Sequence, residues 1–138
     1  MMKVGKKTRL GLAVVFLIGT LVSVSWQFLE SPVNKAQTQV FVPNLSPVAE
    51  AGQMAFSTNC AACHGTNGVG TDKGPPLIHR IYRPGHHADF AFEQAVRLGV
   101  RAHHWRFGNM PPQPQLTREE TASIIRFIRE VQKVNGIY

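Results

Sequence analysis

The residues best suited to chemistry are two cysteines and a histidine within five positions, in the stretch Cys60-Ala-Ala-Cys63-His64. No other cysteine occurs in the 138-residue chain. A redox dithiol would place this spacing at a helix start after a buried strand, but the preceding residues have a helix-like pattern. A structural zinc site would need four ligands, and no second cysteine pair follows. A disulfide across this gap would join no distant parts of the chain.

The same five residues match the motif that attaches a c-type haem covalently. Two thiols separated by two residues on a turn of helix are spaced to form thioethers with the two vinyl groups of one porphyrin. The adjacent imidazole then lies under the iron as the proximal ligand. We therefore predict that Cys60 and Cys63 hold one haem c and that His64 binds its iron.

A second iron ligand is expected among the four methionines. Two lie at the N-terminus, and Met54 precedes the cysteines on the same predicted helix. Met110, in the stretch FGNMPPQPQLT, lies in a proline-flanked loop without apolar periodicity, where a side chain can be placed for binding. Met110 is the predicted distal ligand. The alternatives are that Met110 only fills the core, or that His103 or His104 takes its place.

Together these motifs resemble a class I c-type cytochrome with one haem, over about residues 46–137. The resemblance also includes GPPL at 74–77, NMPP at 109–112 and an amphipathic C-terminal helix. It implies an all-α domain wrapped around one covalently attached haem c. It further implies that the carbonyl of Pro75 accepts a hydrogen bond from His64, which orients the imidazole ring. Gly52 and Phe56 would meet the last helix around Ile124 and Phe127.

Local sequence patterns predict three main helices and an irregular loop over residues 66–78, which is rich in glycine and proline. The first helix spans 47–59, with one face made of Val48, Ala51, Ala55 and Phe56. The second begins at Asp89 and ends at Gly99. The third follows a Thr117–Glu120 capping box. Its buried stripe is Ile124, Ile125, Phe127, Ile128 and Val131, with Arg126, Arg129 and Lys133 facing water.

The N-terminus has the pattern of a membrane segment. Residues 1–9 carry four basic side chains and no acid, and Leu10–Leu29 is uncharged. Twenty helical residues span about 30 Å, the thickness of a bilayer core. We expect a basic cytoplasmic flank (1–9), a transmembrane anchor or signal peptide (10–29), a linker (30–45) and a haem domain (46–138). The protein would then lie in a bacterial inner membrane as a single-pass protein, with the haem domain on the periplasmic side.

The chain departs from the family pattern between residues 79 and 107, where histidine, arginine and aromatic residues accumulate. One interpretation is a solvated polar collar around the haem. A second is contact with the haem propionates by Arg80, Tyr82, Arg101, Trp105 or Arg106. A third is an additional metal site built from His86, His87, His103 and His104.

Iron bound by histidine and methionine has no open position, which favours outer-sphere electron transfer over catalysis. The expected function is a membrane-tethered monohaem carrier that shuttles single electrons between periplasmic-side redox partners, and not an enzyme. Candidate partners are a quinol-oxidising complex, a terminal oxidase, a copper enzyme or a dehydrogenase. The alternatives are the cytochrome subunit of a dehydrogenase or reductase complex, and a haem-based ligand sensor from which Met110 dissociates.

Residues 31–138 contain eleven lysines and arginines against seven aspartates and glutamates, and this net charge of about +4 suits docking to an acidic partner. Four of the fifteen lysines and arginines belong to the first nine residues, and the others are scattered along the chain. The sequence therefore does not favour nucleic-acid binding.

Overall fold

The computed structural model describes residues 39–138 as a helical body. Within that range there is no β-strand, and Val100 and Met110 form an isolated antiparallel bridge. The prediction of a helical fold is therefore confirmed. The helices are α1 (Pro47–Asn59), α2 (Ala61–His64), α3 (Asp89–Leu98) and α4 (Arg118–Val134), with 3₁₀ turns at Thr66–Gly68 and Arg80–Tyr82.

The predicted basic flank, the predicted anchor and the first part of the linker lie outside the described residues. None of the helices within residues 39–138 has the length and apolar character needed to cross a bilayer.

Helix α1 begins at the predicted position because Ser46 caps it. The Ser46 hydroxyl accepts a hydrogen bond from the N–H of Ala49, and Pro47 occupies the first helical position, where a missing N–H costs nothing. The buried residues of α1 are Ala49, Gly52 and Phe56.

The predicted buried face of α1 was wrong for two residues. Val48 is 57% exposed and Ala51 is also exposed, whereas Phe56 is buried as expected. The face is set by Gly52, since its missing side chain lets α4 approach the α1 backbone closely. On the same helix Ala49 is buried and Val48 is exposed.

Helix α4 begins with the predicted capping box. The hydroxyl of Thr117 accepts from the N–H of Glu120, and the Glu120 carboxylate accepts from the N–H of Thr117. All five residues of the predicted apolar stripe are buried. The prediction that Arg129 faces water was wrong, because its side chain is only 14% exposed and pairs with Asp89.

The crossing of α1 and α4 forms the core. The Phe56 and Phe127 rings lie 5.5 Å apart between centroids, in a tilted arrangement. Gly52 lies directly against the backbone of Ser123 and Ile124. These are the contacts that the family resemblance implied.

Residues 39–45 belong to the predicted linker, yet they pack on the helical body. Val40, Val42 and Leu45 contact the core cluster. The side chain of Asn135 accepts from the N–H of Phe41 and donates to its carbonyl. The extended segment is therefore pinned to the end of α4.

The entry into α1 is held by a carboxylate on α4. Glu130 accepts hydrogen bonds from the N–H and the hydroxyl of Ser46, at 3.0 and 2.7 Å, and pairs with Arg126 at 2.6 Å. Burial alone would raise the pKa of Glu130, but the bonds from Ser46 and Arg126 outweigh it and lower that pKa. Folding therefore favours the ionised carboxylate.

We expect Glu130→Gln to lower the free energy of unfolding by about 1 kcal/mol at neutral pH. The pKa of Glu130 is lower in the folded than in the unfolded protein. Its contribution to the free energy of unfolding is therefore complete above the unfolded-state pKa of about 4.3 and is lost as pH falls through the folded-state pKa. Chemical unfolding, followed by circular dichroism from about pH 7 to pH 3, should show that the free energy of unfolding falls less with decreasing pH in the variant than in the wild type. Glu93→Gln, at an exposed position in α3, is the control. An unchanged acid profile in Glu130→Gln would contradict the assignment.

Candidate functional site

The two cysteines and His64 lie on one tight turn that follows α1. The N–H of Cys60 donates to Phe56 at 2.8 Å, and the N–H groups of Cys63 and His64 donate to the carbonyl of Cys60 at 3.1 and 2.9 Å. Both thiols are free, so the residues form no disulfide. Cys60 is half-buried, and Cys63 is exposed.

The thiol of Cys60 does not have the environment of a redox dithiol. Burial, followed by repulsion from Cys63, raises the pKa of Cys60 to about 11. Reactive dithiols instead have a cysteine pKa below the ordinary value. The raised pKa of Cys60 therefore does not favour disulfide exchange at this turn.

His64 is oriented by the backbone of the following loop. Its Nδ1 lies 2.9 Å from the carbonyl oxygen of Pro75. Because that oxygen only accepts, Nδ1 carries the proton and Nε2 keeps its lone pair. Burial lowers the pKa of His64 and the Pro75 bond partly opposes this, so the imidazole is neutral at pH 7. A neutral imidazole with a free Nε2 is the form that binds a metal.

Met110 is held in place through its backbone. Its N–H donates to Val100 at 3.0 Å and its carbonyl accepts from Val100 at 2.9 Å. Gly99, with φ of +75°, ends α3 and lies against the Met110 carbonyl and Pro112. The proline-flanked stretch is therefore anchored to the end of α3, a pairing that the sequence analysis missed.

A single apolar cavity of about 430 Å³ brings the predicted ligands together. Cys60, His64 and Met110 all contribute to its wall, and Cys63 lies on the adjoining turn. Met54 is 69% exposed and is not part of the wall. The apolar lining comes from all of the longer helices and the loop, through Phe56, Leu77, Ala91, Phe92, Val96, Ile124, Ile125 and Ile128.

These residues fit haem c. A flat apolar group with two attachment points and an iron requires paired thiols, an oriented imidazole and a second soft or nitrogen ligand around one apolar space. The chain supplies Cys60, His64 and Met110 at one cavity and Cys63 on the adjoining turn. The chemistry of the donor set therefore agrees with the attachment motif.

The predicted propionate contacts divide into two groups. Tyr82 and Trp105 line the cavity, and the indole N–H of Trp105 donates to the Tyr82 hydroxyl at 3.1 Å. Burial raises the pKa of Tyr82, and the Trp105 bond partly opposes the shift. Arg80, Arg101 and Arg106 are exposed and do not line the cavity. Propionate binding by these five residues stays a prediction.

Three of the clustered histidines, His87, His103 and His104, also line the cavity. Local desolvation, and then repulsion from the neighbouring imidazoles, lowers the pKa of His104. The structure thus brings together the histidines that the sequence analysis considered for an additional metal site or for the distal ligand.

Arg129 and Gln132 organise one side of the cavity, a role that was not predicted from the sequence. Arg129 donates to the carbonyls of Tyr82 and His87 and pairs with Asp89 at 2.7 Å. The buried amide of Gln132 donates to the carbonyls of Leu77 and Tyr82. Their spacing of three residues on α4 was the available signal, but it does not reveal the distant carbonyls they bind.

This arrangement defines a class of protein, the small helical carriers that hold a haem through a Cys-x-x-Cys-His turn. The family model for cytochrome c matches residues 49–132. The chain belongs to this family, and covalently attached haem c is its cofactor.

Among solved structures, the chain is similar to cytochrome CL from the marine methylotrophic bacterium Methylophaga aminisulfidivorans. The identity is 26% and the TM-score 0.45, and the match covers 75% of this chain and 61% of cytochrome CL. The chain thus spans less than two thirds of that protein. No curated protein matches the chain.

Proposed function

We propose that this protein is a membrane-tethered, one-electron carrier in which His64 and Met110 bind the haem iron. The observation that carries the proposal is the convergence of Cys60, His64 and Met110, from two distant parts of the chain, on one apolar cavity. Haem c supplies an iron centre that gains or loses one electron.

The protein's own residues set the conditions for that chemistry. The carbonyl of Pro75 orients His64 and keeps its Nε2 available. The pairing of Met110 with Val100 positions a thioether ligand. His64 and Met110 would both bind the iron, and the haem would then have no position left for a substrate. The apolar wall excludes water, which limits the reorganisation that accompanies a change in charge.

The tether in the proposal derives from the uncharged segment Leu10–Leu29 and the basic residues before it. In that orientation the haem domain would lie on the periplasmic side of a bacterial inner membrane. A tethered carrier meets a membrane-bound partner at high effective concentration, which suits weak and short-lived redox encounters.

The proposed partners are redox proteins of that compartment: a quinol-oxidising complex, a terminal oxidase, a copper enzyme or a dehydrogenase. The net charge of residues 31–138, about +4 from eleven lysines and arginines against seven acids, favours a partner with an acidic surface.

Redox titration of the haem-loaded full chain, combined with exposure of the reduced protein to carbon monoxide, tests the proposal. We expect a reversible one-electron transition and no carbon monoxide binding at neutral pH, because His64 and Met110 would both be bound to the iron. Binding of carbon monoxide would support a ligand sensor instead. A catalytic subunit that co-purifies stably would support a dehydrogenase or reductase complex.

The tether is tested separately by alkaline carbonate extraction of membranes from cells that make the full chain. We expect the haem-containing protein to stay in the membrane pellet and to need detergent for release. Release by carbonate alone would contradict an anchor and would leave the electron-transfer proposal standing.

A further inference from the structure

Four histidines from two separate loops lie side by side next to the cavity. His86 and His87 precede α3, and His103 and His104 lie in the loop that the Val100–Met110 pairing closes. The ligand nitrogens of His86, His87 and His104 all lie within 4.8 Å of one another. The ring of His103 is 4.3 Å from that of His104, between centroids. Tertiary folding therefore assembles the cluster.

Two of these imidazoles have a defined proton position. Nδ1 of His87 lies 2.8 Å from the carbonyl oxygen of Ile81, and Nδ1 of His103 lies 2.8 Å from that of Arg101. Since a carbonyl oxygen only accepts, each Nδ1 carries the proton and each Nε2 keeps a lone pair. Metal-binding histidines commonly have such a bond at the second nitrogen, which sets the tautomer and the ring orientation.

The turn that carries His86 and His87 is held by backbone contacts. The N–H groups of both residues donate to the carbonyl of Arg83 at 2.9 Å. The guanidinium of Arg129 donates to the carbonyl of His87. Because the turn is already ordered, bringing its side chains to a common ligand costs less conformational entropy.

Ion pairing does not account for the cluster. Asp89, two residues after His87, pairs with Arg129, and neither ion pair among residues 39–138 involves a histidine. Imidazoles gathered without a carboxylate suit copper, zinc or nickel, whereas Ca²⁺ and Mg²⁺ prefer oxygen ligands.

We propose that His86, His87 and His104 form a binding site for a divalent transition-metal ion, with Cu²⁺ held more tightly than Zn²⁺. His103 or water completes the coordination. The site goes beyond the proposed electron-transfer function and uses neither His64 nor Met110, the two iron ligands of that proposal. Since His87 and His104 also line the cavity, the bound ion adds positive charge beside it. That charge disfavours the more positive, oxidised iron and raises the reduction potential.

The test uses the haem-loaded full chain, purified without a histidine tag and stripped of loosely bound metal with a chelator. Cu²⁺ and Zn²⁺ are titrated separately by calorimetry, and Cu²⁺ coordination is read from nitrogen hyperfine splitting in electron paramagnetic resonance. We expect one equivalent of either ion to bind, Cu²⁺ more tightly, and the reduction potential to rise on loading.

The variants His86→Ala and His104→Ala should each weaken binding on the order of tenfold or more. Both side chains are exposed, so these changes should leave the fold intact, which circular dichroism checks. His79→Ala, a histidine outside the cluster, is the matched control and should bind both ions as the wild type does. Absence of saturable binding at one equivalent, or equal binding by wild type and both cluster variants, would overturn the proposal.

Discussion

Met110→Ala is expected to remove the near-infrared thioether-to-iron band of the oxidised protein and to lower the reduction potential on the order of 0.1 V, within the ~0.8 V range that axial ligands set. The loss of a thioether also opens one axial position, so the reduced variant should bind carbon monoxide. The helical fold should persist, because Met110 is held to Val100 through backbone atoms that alanine retains. Near-infrared absorption, redox titration and carbon monoxide difference spectra measure these effects.

Met54→Ala is the matched control for this prediction, since Met54 is exposed and lies outside the cavity wall. Its spectra and potential should equal those of the wild type. A thioether band that survives in Met110→Ala would contradict the assignment. If the wild type lacks the band, and if His103→Ala or His104→Ala changes the ligation of the iron, the second iron ligand is a histidine.

Gly52→Ala is expected to lower the free energy of unfolding by about 3 kcal/mol, at the upper end of the cost of overpacking. A Cβ atom at this position would collide with the Ser123 carbonyl and lie 2.9 Å from the nitrogen of Ile124. Both neighbours are backbone atoms of α4, so no side chain is available to move aside. The two helices must separate, which also loosens the packing of Phe56 on Phe127. Denaturant unfolding of the haem-loaded protein measures the change.

Gly85→Ala provides the comparison, because a Cβ atom there would meet nothing within 4 Å. This variant should unfold within about 0.5 kcal/mol of the wild type. Equal stability of Gly52→Ala and Gly85→Ala would show that the close crossing of α1 and α4 does not contribute to stability.

Local signals predicted the helices well because each is defined by neighbours along the chain. Ser46 with Pro47, and Thr117 with Glu120, set the starts of α1 and α4 through bonds that span a few residues. The apolar stripe of α4 was also predicted, since a long amphipathic helix has one face to bury. The buried face of α1 was predicted less well, because the face that is buried depends on the contact of Gly52 with α4, which is distant along the chain.

The attachment motif was recognisable in the sequence since Cys60, Cys63 and His64 lie within one turn, where spacing alone defines the pattern. The residues that frame the cavity were harder to predict from the sequence. Arg129 has the pattern of an exposed residue on α4, yet it binds the carbonyls of Tyr82 and His87, more than forty residues away. A guanidinium has five donors, and which acceptors it meets depends on how distant loops pack.

The amino-acid order was therefore sufficient for the cofactor class and for the starts of the three longer helices, because these depend on residue type and on bonds between near neighbours, and the iron ligands stay a prediction. Folding in three dimensions decided the face of α1, the pairing of Val100 with Met110 and the gathering of four imidazoles from two loops. Each of these brings together residues that are ten or more positions apart, and such meetings follow from packing and loop closure rather than from local conformational preference.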